Sequence, residues 1–109
     1  MKDPHVGKAL RLMHEDPVRD WTVDELAREV AISRSVLAQR FTTLVGEAPM
    51  RYLAGWRMQV AKQMMRDGAV NLQDVATRVG YESEAAFSRA FKRATGSPPA
   101  AWRRAAVRS

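Results

Sequence analysis

The chain has 109 residues, 46% of them hydrophobic and 28% charged, with no cysteine. That length suits one domain or two very small ones sharing an element, and the missing cysteine excludes disulfides, thiolate metal sites and a thiol nucleophile. The formal net charge of +6 is uneven: residues 1–55 carry 8 Lys/Arg and 8 Asp/Glu, residues 56–109 carry 10 and 4, so the whole excess lies in the second half and points to a polyanionic partner.

Every patterned segment has helical spacing, and strand alternation is missing throughout. Asp3-Pro4 reads as an N-cap with proline in the first turn; Val6, Ala9, Leu10 and Met13 then form one apolar stripe that Pro17 ends. Thr22-Val23-Asp24-Glu25 has the form of a capping box and opens a short helix to about Val30. Ser33 starts the next helix, with Leu37, Phe41 and Leu44 on its inner face and Gly46 at its end. A long helix is predicted from about Pro49 to Arg66, stopped by Asp67-Gly68. Asn71 to Val79 gives a short helix closed by Gly80. Ser83 to about Thr95 follows, with Phe87, Ala90, Phe91 and Ala94 inward, and Gly96-Ser97-Pro98-Pro99 precedes a last turn carrying Trp102. The fold class is therefore all-α, with about seven helices.

The segment from Thr22 to Tyr52 recurs from Asn71 to Trp102. Val23, Leu26, Ala27 and Val30 match Leu72, Val75, Ala76 and Val79 at one constant interval; after the turn, Leu37, Phe41, Gly46, Pro49 and Tyr52 match Phe87, Phe91, Gly96, Pro99 and Trp102 at an interval one residue longer. Each copy is a short helix, a tight turn and a second helix, which is the form of a helix-turn-helix. Two copies fall short of the three or more that a helical solenoid needs. The expected organisation is a first subdomain at 1–48, a linker helix at 49–67 and a second subdomain at 68–109.

The second helix of each copy presents a small, polar outer face. Arg34, Ser35, Ala38, Gln39 and Thr42 lie away from the apolar stripe of the first; Glu84, Ala85, Ser88, Arg89 and Lys92 hold the same positions in the second. Small side chains let a helix sit deep in a groove, Arg can bind guanine bidentately, and Gln can bind adenine. Taken singly, each residue suits a solvated surface as well as a base contact; the match between the copies favours contact.

Along the long helix, Leu53, Ala54, Trp56, Met58, Val60, Ala61, Met64 and Met65 cover an arc of roughly 200°. An ordinary surface helix buries a stripe nearer 100°, so this one is expected to pack on two sides. At about 25 Å long it could hold two recognition helices about 34 Å apart, one DNA turn, on one face. Arg57 falls inside the apolar arc and must pair with a carboxylate or reach outward.

These residues resemble the C-terminal DNA-binding domain of the AraC/XylS family of bacterial transcription regulators, over about residues 5–104. The resemblance rests most on Arg57-Met58, Ala61, Met64-Met65, Val75-Ala76, Val79-Gly80-Tyr81, Phe87-Ser88-Arg89, Phe91-Lys92, Gly96, Pro99 and Trp102-Arg103. It implies two helix-turn-helix subdomains on a linker helix and a sequence-specific transcription regulator, of the activator kind. It also implies base contacts from Arg34, Ser35, Ala38 and Gln39 in one copy and Glu84, Ala85, Ser88 and Arg89 in the other. Phosphate contacts are expected from Thr42, Lys92, Arg93 and Arg103. Two positions depart from the pattern: Ala31 stands where the family often has glycine, so a left-handed turn there would cost roughly 1 kcal/mol; Ser35 stands where a large groove-inserting residue is frequent.

The expected partner is double-stranded DNA, with RNA polymerase as a further one. No membrane span or signal pattern is present, and a cytoplasmic location is expected. Because the resemblance begins near Met1 and such regulators usually carry a ligand-binding or dimerisation domain as well, the chain reads as either a stand-alone member or an excised domain, with excision favoured, and a monomer is expected. His5 and His14 lack partners at metal-ligand spacing, and no phosphate loop or nucleophile motif appears. Neither cofactor, metal nor catalysis is therefore expected. The rival readings are a protein-interaction module with the same fold and, less favoured, an RNA binder, whose exposed stacking aromatics are missing.

Overall fold

The computed structural model describes residues 2–68 and 71–108, the last with side chains through Ala106. Among them are seven helices and no strand: α1 (Pro4–Glu15), α2 (Val23–Val30), α3 (Arg34–Val45), α4 (Pro49–Arg66), α5 (Leu72–Arg78), α6 (Glu84–Thr95) and α7 (Pro99–Arg108). Two compact units divide the chain, Met1–Trp56 and Arg57–Ser109. The division falls inside α4, within the span read from the sequence as the linker.

The helix starts follow from short polar side chains that accept from otherwise unpaired amides. Asp3 accepts from the amides of His5 and Val6, Ser33 from Val36, Asn71 from Gln73 and Asp74, and Ser83 from Ala86. Thr22 accepts from the Glu25 amide at 3.1 Å, but the Glu25 carboxylate turns to Arg19, also at 3.1 Å, as well as to the Thr22 hydroxyl.

In the first unit α1 packs on α2 and α3. The core is Val6, Ala9, Met13, Trp21, Leu26, Ala27, Val30, Leu37, Phe41 and Leu53, with Leu10 packed against it. The second unit packs α5 on α6 and α6 on α7, around Met58, Ala61, Met65, Val75, Ala76, Val79, Phe87 and Phe91. Thus α4 gives Leu53 to the first core and three residues to the second. Ala54, placed by the sequence in the apolar arc, is exposed; its single methyl group gains little from burial.

Two further inward assignments fail in the same way. Leu44 is 51% exposed and Ala94 is exposed too. The buried line on each helix advances by four residues, Leu37–Phe41 and Phe87–Phe91. Each such step rotates the line by about 40°. It therefore meets Val45 and Thr95, both partly buried, and leaves Leu44 and Ala94 behind it. Because the error recurs at matching positions, it is itself a mark of the repeat.

The two turns are built alike. The amide of Ile32 donates to the Ala27 carbonyl at 3.2 Å, and that of Tyr81 to Ala76 at 2.9 Å; the left-handed residue before each is Ala31, φ 60°, and Gly80, φ 94°. A side chain at that conformation is strained where glycine is not. Ala31→Gly is therefore expected to stabilise the protein by about 0.5–1 kcal/mol, part of the relief being offset by glycine's freer unfolded chain. Urea melts of the pair check this; a less stable glycine variant would contradict it.

Candidate nucleic-acid interface

Each second helix is held by its inner face, which frees the outer one. On α3, Leu37 and Phe41 are fully buried, while Arg34, Ser35, Gln39 and Thr42 are exposed and Ala38 is partly so. On α6, Phe87 and Phe91 are fully buried, while Glu84, Ala85, Arg89, Lys92 and Arg93 are exposed and Ser88 is partly so. All ten outer-face positions read from the sequence thus reach solvent on their helices.

The first face is held from behind by α1. The His5 ring donates from Nδ1 to the Val30 carbonyl at 2.7 Å, and Lys8 Nζ donates to the Glu29 carbonyl at 2.9 Å. Both groups meet the carbonyl end of α2, where a helix lacks internal donors and favours cations. Asp3, besides capping α1, lies 3.7 Å from Arg40 of α3. Sequence reading missed this brace, because nothing in the spacing of His5 and Lys8 says which helix end they approach. Arg34 sits 3.8 Å from Asp24, both side chains well exposed; such a pair contributes about 0–1 kcal/mol and leaves Arg34 easily redirected.

The second face carries the charge. Arg89, Lys92 and Arg93 line one open depression along α6, so three of the expected contact residues come together. Lys92 and Arg93 also lie in the last turn of α6, where cations offset the helix dipole. Arg103 lies apart from that depression, on α7, beside Met65, Arg66, Trp102 and Ala106.

Arg57 places its guanidinium 5.9 Å from the centroid of the Tyr81 ring, and Tyr81 packs on Phe87. That contact takes up the arginine left open in the apolar arc. Burial raises the Tyr81 hydroxyl above its ordinary range, against the opposing pull of Arg57 and Arg93, so the group stays protonated and neutral near neutral pH. Burial likewise raises Tyr52, with Glu47 adding to it; its hydroxyl shares a 2.6 Å hydrogen bond with His14 Nε2. Among the described residues no group of three His, Asp or Glu is placed to hold a metal, and no helix is long and apolar enough to cross a membrane.

This arrangement matches known proteins closely. The family model described as a helix-turn-helix domain covers residues 26–105. A Streptomyces lividans protein described as an AraC-like transcription regulator is 47% identical over 104 residues, 95% of this chain and 34% of its own length. The HTH-type transcriptional regulator AlkR of Acinetobacter baylyi is 40% identical, over 92% of this chain and 33% of its own. This chain thus spans about a third of the length of the curated relatives it matches. Among solved structures, the C-terminal domain of AraT, a response regulator from Geobacillus stearothermophilus, superposes with a TM-score of 0.90 at 27% identity, covering 94% of this chain and 86% of that one. The DNA-binding domain of AdpA, solved with a target DNA, does so at 0.87 and 29% identity, over 94% and 93%. By that family match and these relatives, the chain belongs to the helix-turn-helix domain family, in its AraC-type form.

Proposed function

We propose that the chain binds double-stranded DNA sequence-specifically and regulates transcription, laying α3 and α6 into successive major-groove windows about 34 Å apart, one turn of the duplex. The observation that carries this reading is the doubled helix-turn-helix, in which matching outer faces stay in solvent while matching inner faces are buried. The AdpA domain, alike over most of both chains, is described in complex with a target DNA, which supports the same partner here.

On this reading Arg34, Ser35, Ala38 and Gln39 meet base edges in one window, and Glu84, Ala85, Ser88 and Arg89 in the other. Thr42, Lys92, Arg93 and Arg103 meet phosphates. The functional division is 1–48, 49–67 and 68–109, with the middle helix as the spacer. In the cell the module acts in the cytoplasm, within a regulator that responds to an effector and activates through RNA polymerase; RclR of Escherichia coli, 36% identical over 100 residues, is described as a transcriptional activator. The activity is binding, with no catalytic step and no cofactor.

Selection from a pool of random duplexes tests this. The expected product is a site with two conserved blocks about one helical turn apart. A pool that stays random through selection would overturn it and favour a protein-interaction module. Phosphate contacts add a second expectation. Affinity should fall steeply with salt, and Lys92→Ala should weaken every duplex alike while lowering the slope of log K against log[salt] by about one. Titrations at several salt concentrations read this directly, and an unchanged slope would remove Lys92 from the phosphates.

A further inference from the structure

The turn that launches α3 is strained, and side chains from another helix grip it. Among the described residues Ala31 alone combines a side chain with a left-handed backbone, at φ 60°. Ala31 is exposed, so its methyl group gains little packing to offset the crowding between Cβ and the carbonyl that follows. Such a conformation persists where its surroundings fix it. The fixing groups come from α1: His5 Nδ1 donates to the Val30 carbonyl at 2.7 Å, and Lys8 Nζ to the Glu29 carbonyl at 2.9 Å. These are the two carbonyls directly before Ala31. At the head of the same helix Asp3 lies 3.7 Å from Arg40 of α3, so α1 holds the chain on both sides of the turn.

The second unit repeats the placement. Val6, Ala9 and Met13 are buried at the spacing of Met58, Ala61 and Met65, and on that match His5 stands where Arg57 does. Arg57 likewise reaches its turn, with its guanidinium 5.9 Å from the ring of Tyr81, the residue after the left-handed Gly80. Glycine takes that conformation without strain, so the first turn is the one that depends on being held.

Three residues, Ala31 to Ser33, join α2 to α3, and the dihedrals of Ala31 help set the direction in which α3 leaves. A tilt of about 10° moves Gln39, about 7.5 Å along the helix from Arg34, by about 1.3 Å. Hydrogen bonds to a base edge tolerate a spread of only about 0.5 Å in length.

We propose that His5 and Lys8 are positioning residues for base reading by the first unit. By holding the Glu29 and Val30 carbonyls they keep Ala31 left-handed and fix the direction of α3. The proposal rests on the DNA reading above; it adds that specificity in one window is set from α1, by residues outside the recognition helices.

The test compares affinity for the selected duplex with affinity for duplexes changed at one base pair at a time. In Lys8→Met with His5→Phe, discrimination in the block that responds to Gln39→Ala should fall about fivefold, the scale of the strain at Ala31. The other block should keep its discrimination. Ala31→Gly added to that protein should restore the first block, because glycine holds the left-handed turn unaided. Lys8→Arg keeps a donor and should read like the parent. A brace that serves stability alone would lower the melting temperature and weaken every duplex alike, and glycine would restore no discrimination. That result would overturn the proposal, and so would two blocks that both ignore the double variant. Should the double variant not fold, Lys8→Met alone, at an exposed side chain, carries the test, and an unchanged first block in it overturns the proposal. A pool that yields no selected duplex fails the DNA reading itself, and the positioning role with it, before any variant is compared.

Discussion

Replacing Phe91 by alanine is expected to cost the second unit about 3–5 kcal/mol, the range for removing a buried aromatic ring. Phe91 is completely buried, with the Phe87 ring at 5.6 Å on one side and Trp102 edge-on at 5.8 Å on the other. Its removal opens a cavity beside two aromatic rings that are tied to α6 and α7 and so cannot easily close in. Domains of this size have about 5–15 kcal/mol in total, so the α6–α7 packing should be lost or nearly lost at moderate temperature. Leu44→Ala is the contrasting change: at 51% exposure it should stay within about 0.5 kcal/mol of the parent. Urea melts of both variants check the pair. A Phe91→Ala protein melting beside the parent would show that α6 does not use this face as its anchor.

The second large effect concerns Arg89. It projects from the exposed side of α6, next to Ala85 and Ser88, whose small side chains let the helix approach base edges. If Arg89 binds guanine bidentately, Arg89→Ala should lose about 1–3 kcal/mol on the selected site. It should lose little on a site already changed at that guanine. Equal loss on every sequence would make Arg89 a phosphate contact, and specificity would then rest on the other outer residues of α3 and α6.

Much of this was legible in the sequence because the duplication checks itself. A capping residue, a turn and a buried pair four residues apart, Leu37/Phe41 in one copy and Phe87/Phe91 in the other, recur together, and chance rarely aligns all three. Ala31 shows how far the family resemblance reaches: it stands where the family often has glycine for a left-handed turn, and the structure gives it φ 60°. Leu44 and Ala94 show where the reading of pattern stops. Both belong to the apolar stripe as written, yet the drift of the buried line along a straight helix turns them to solvent. Contacts between distant segments were the least legible. That His5 and Lys8 brace the end of α2 depends on which helices pack together. Arg57 announced itself as a charge among apolar neighbours; its resting place over Tyr81 required the fold.

The central claim is that each of the two recognition helices reads its own stretch of major groove. Methylation interference on the selected duplex, read at single-base resolution, tests it most directly, since guanine N7 lies in the major groove. With the unaltered protein, interference is expected in two clusters about one helical turn apart. Gln39→Ala should abolish discrimination at one cluster only, and Arg89→Ala at the other only. A single cluster, or two clusters that both respond to the same substitution, would contradict the account.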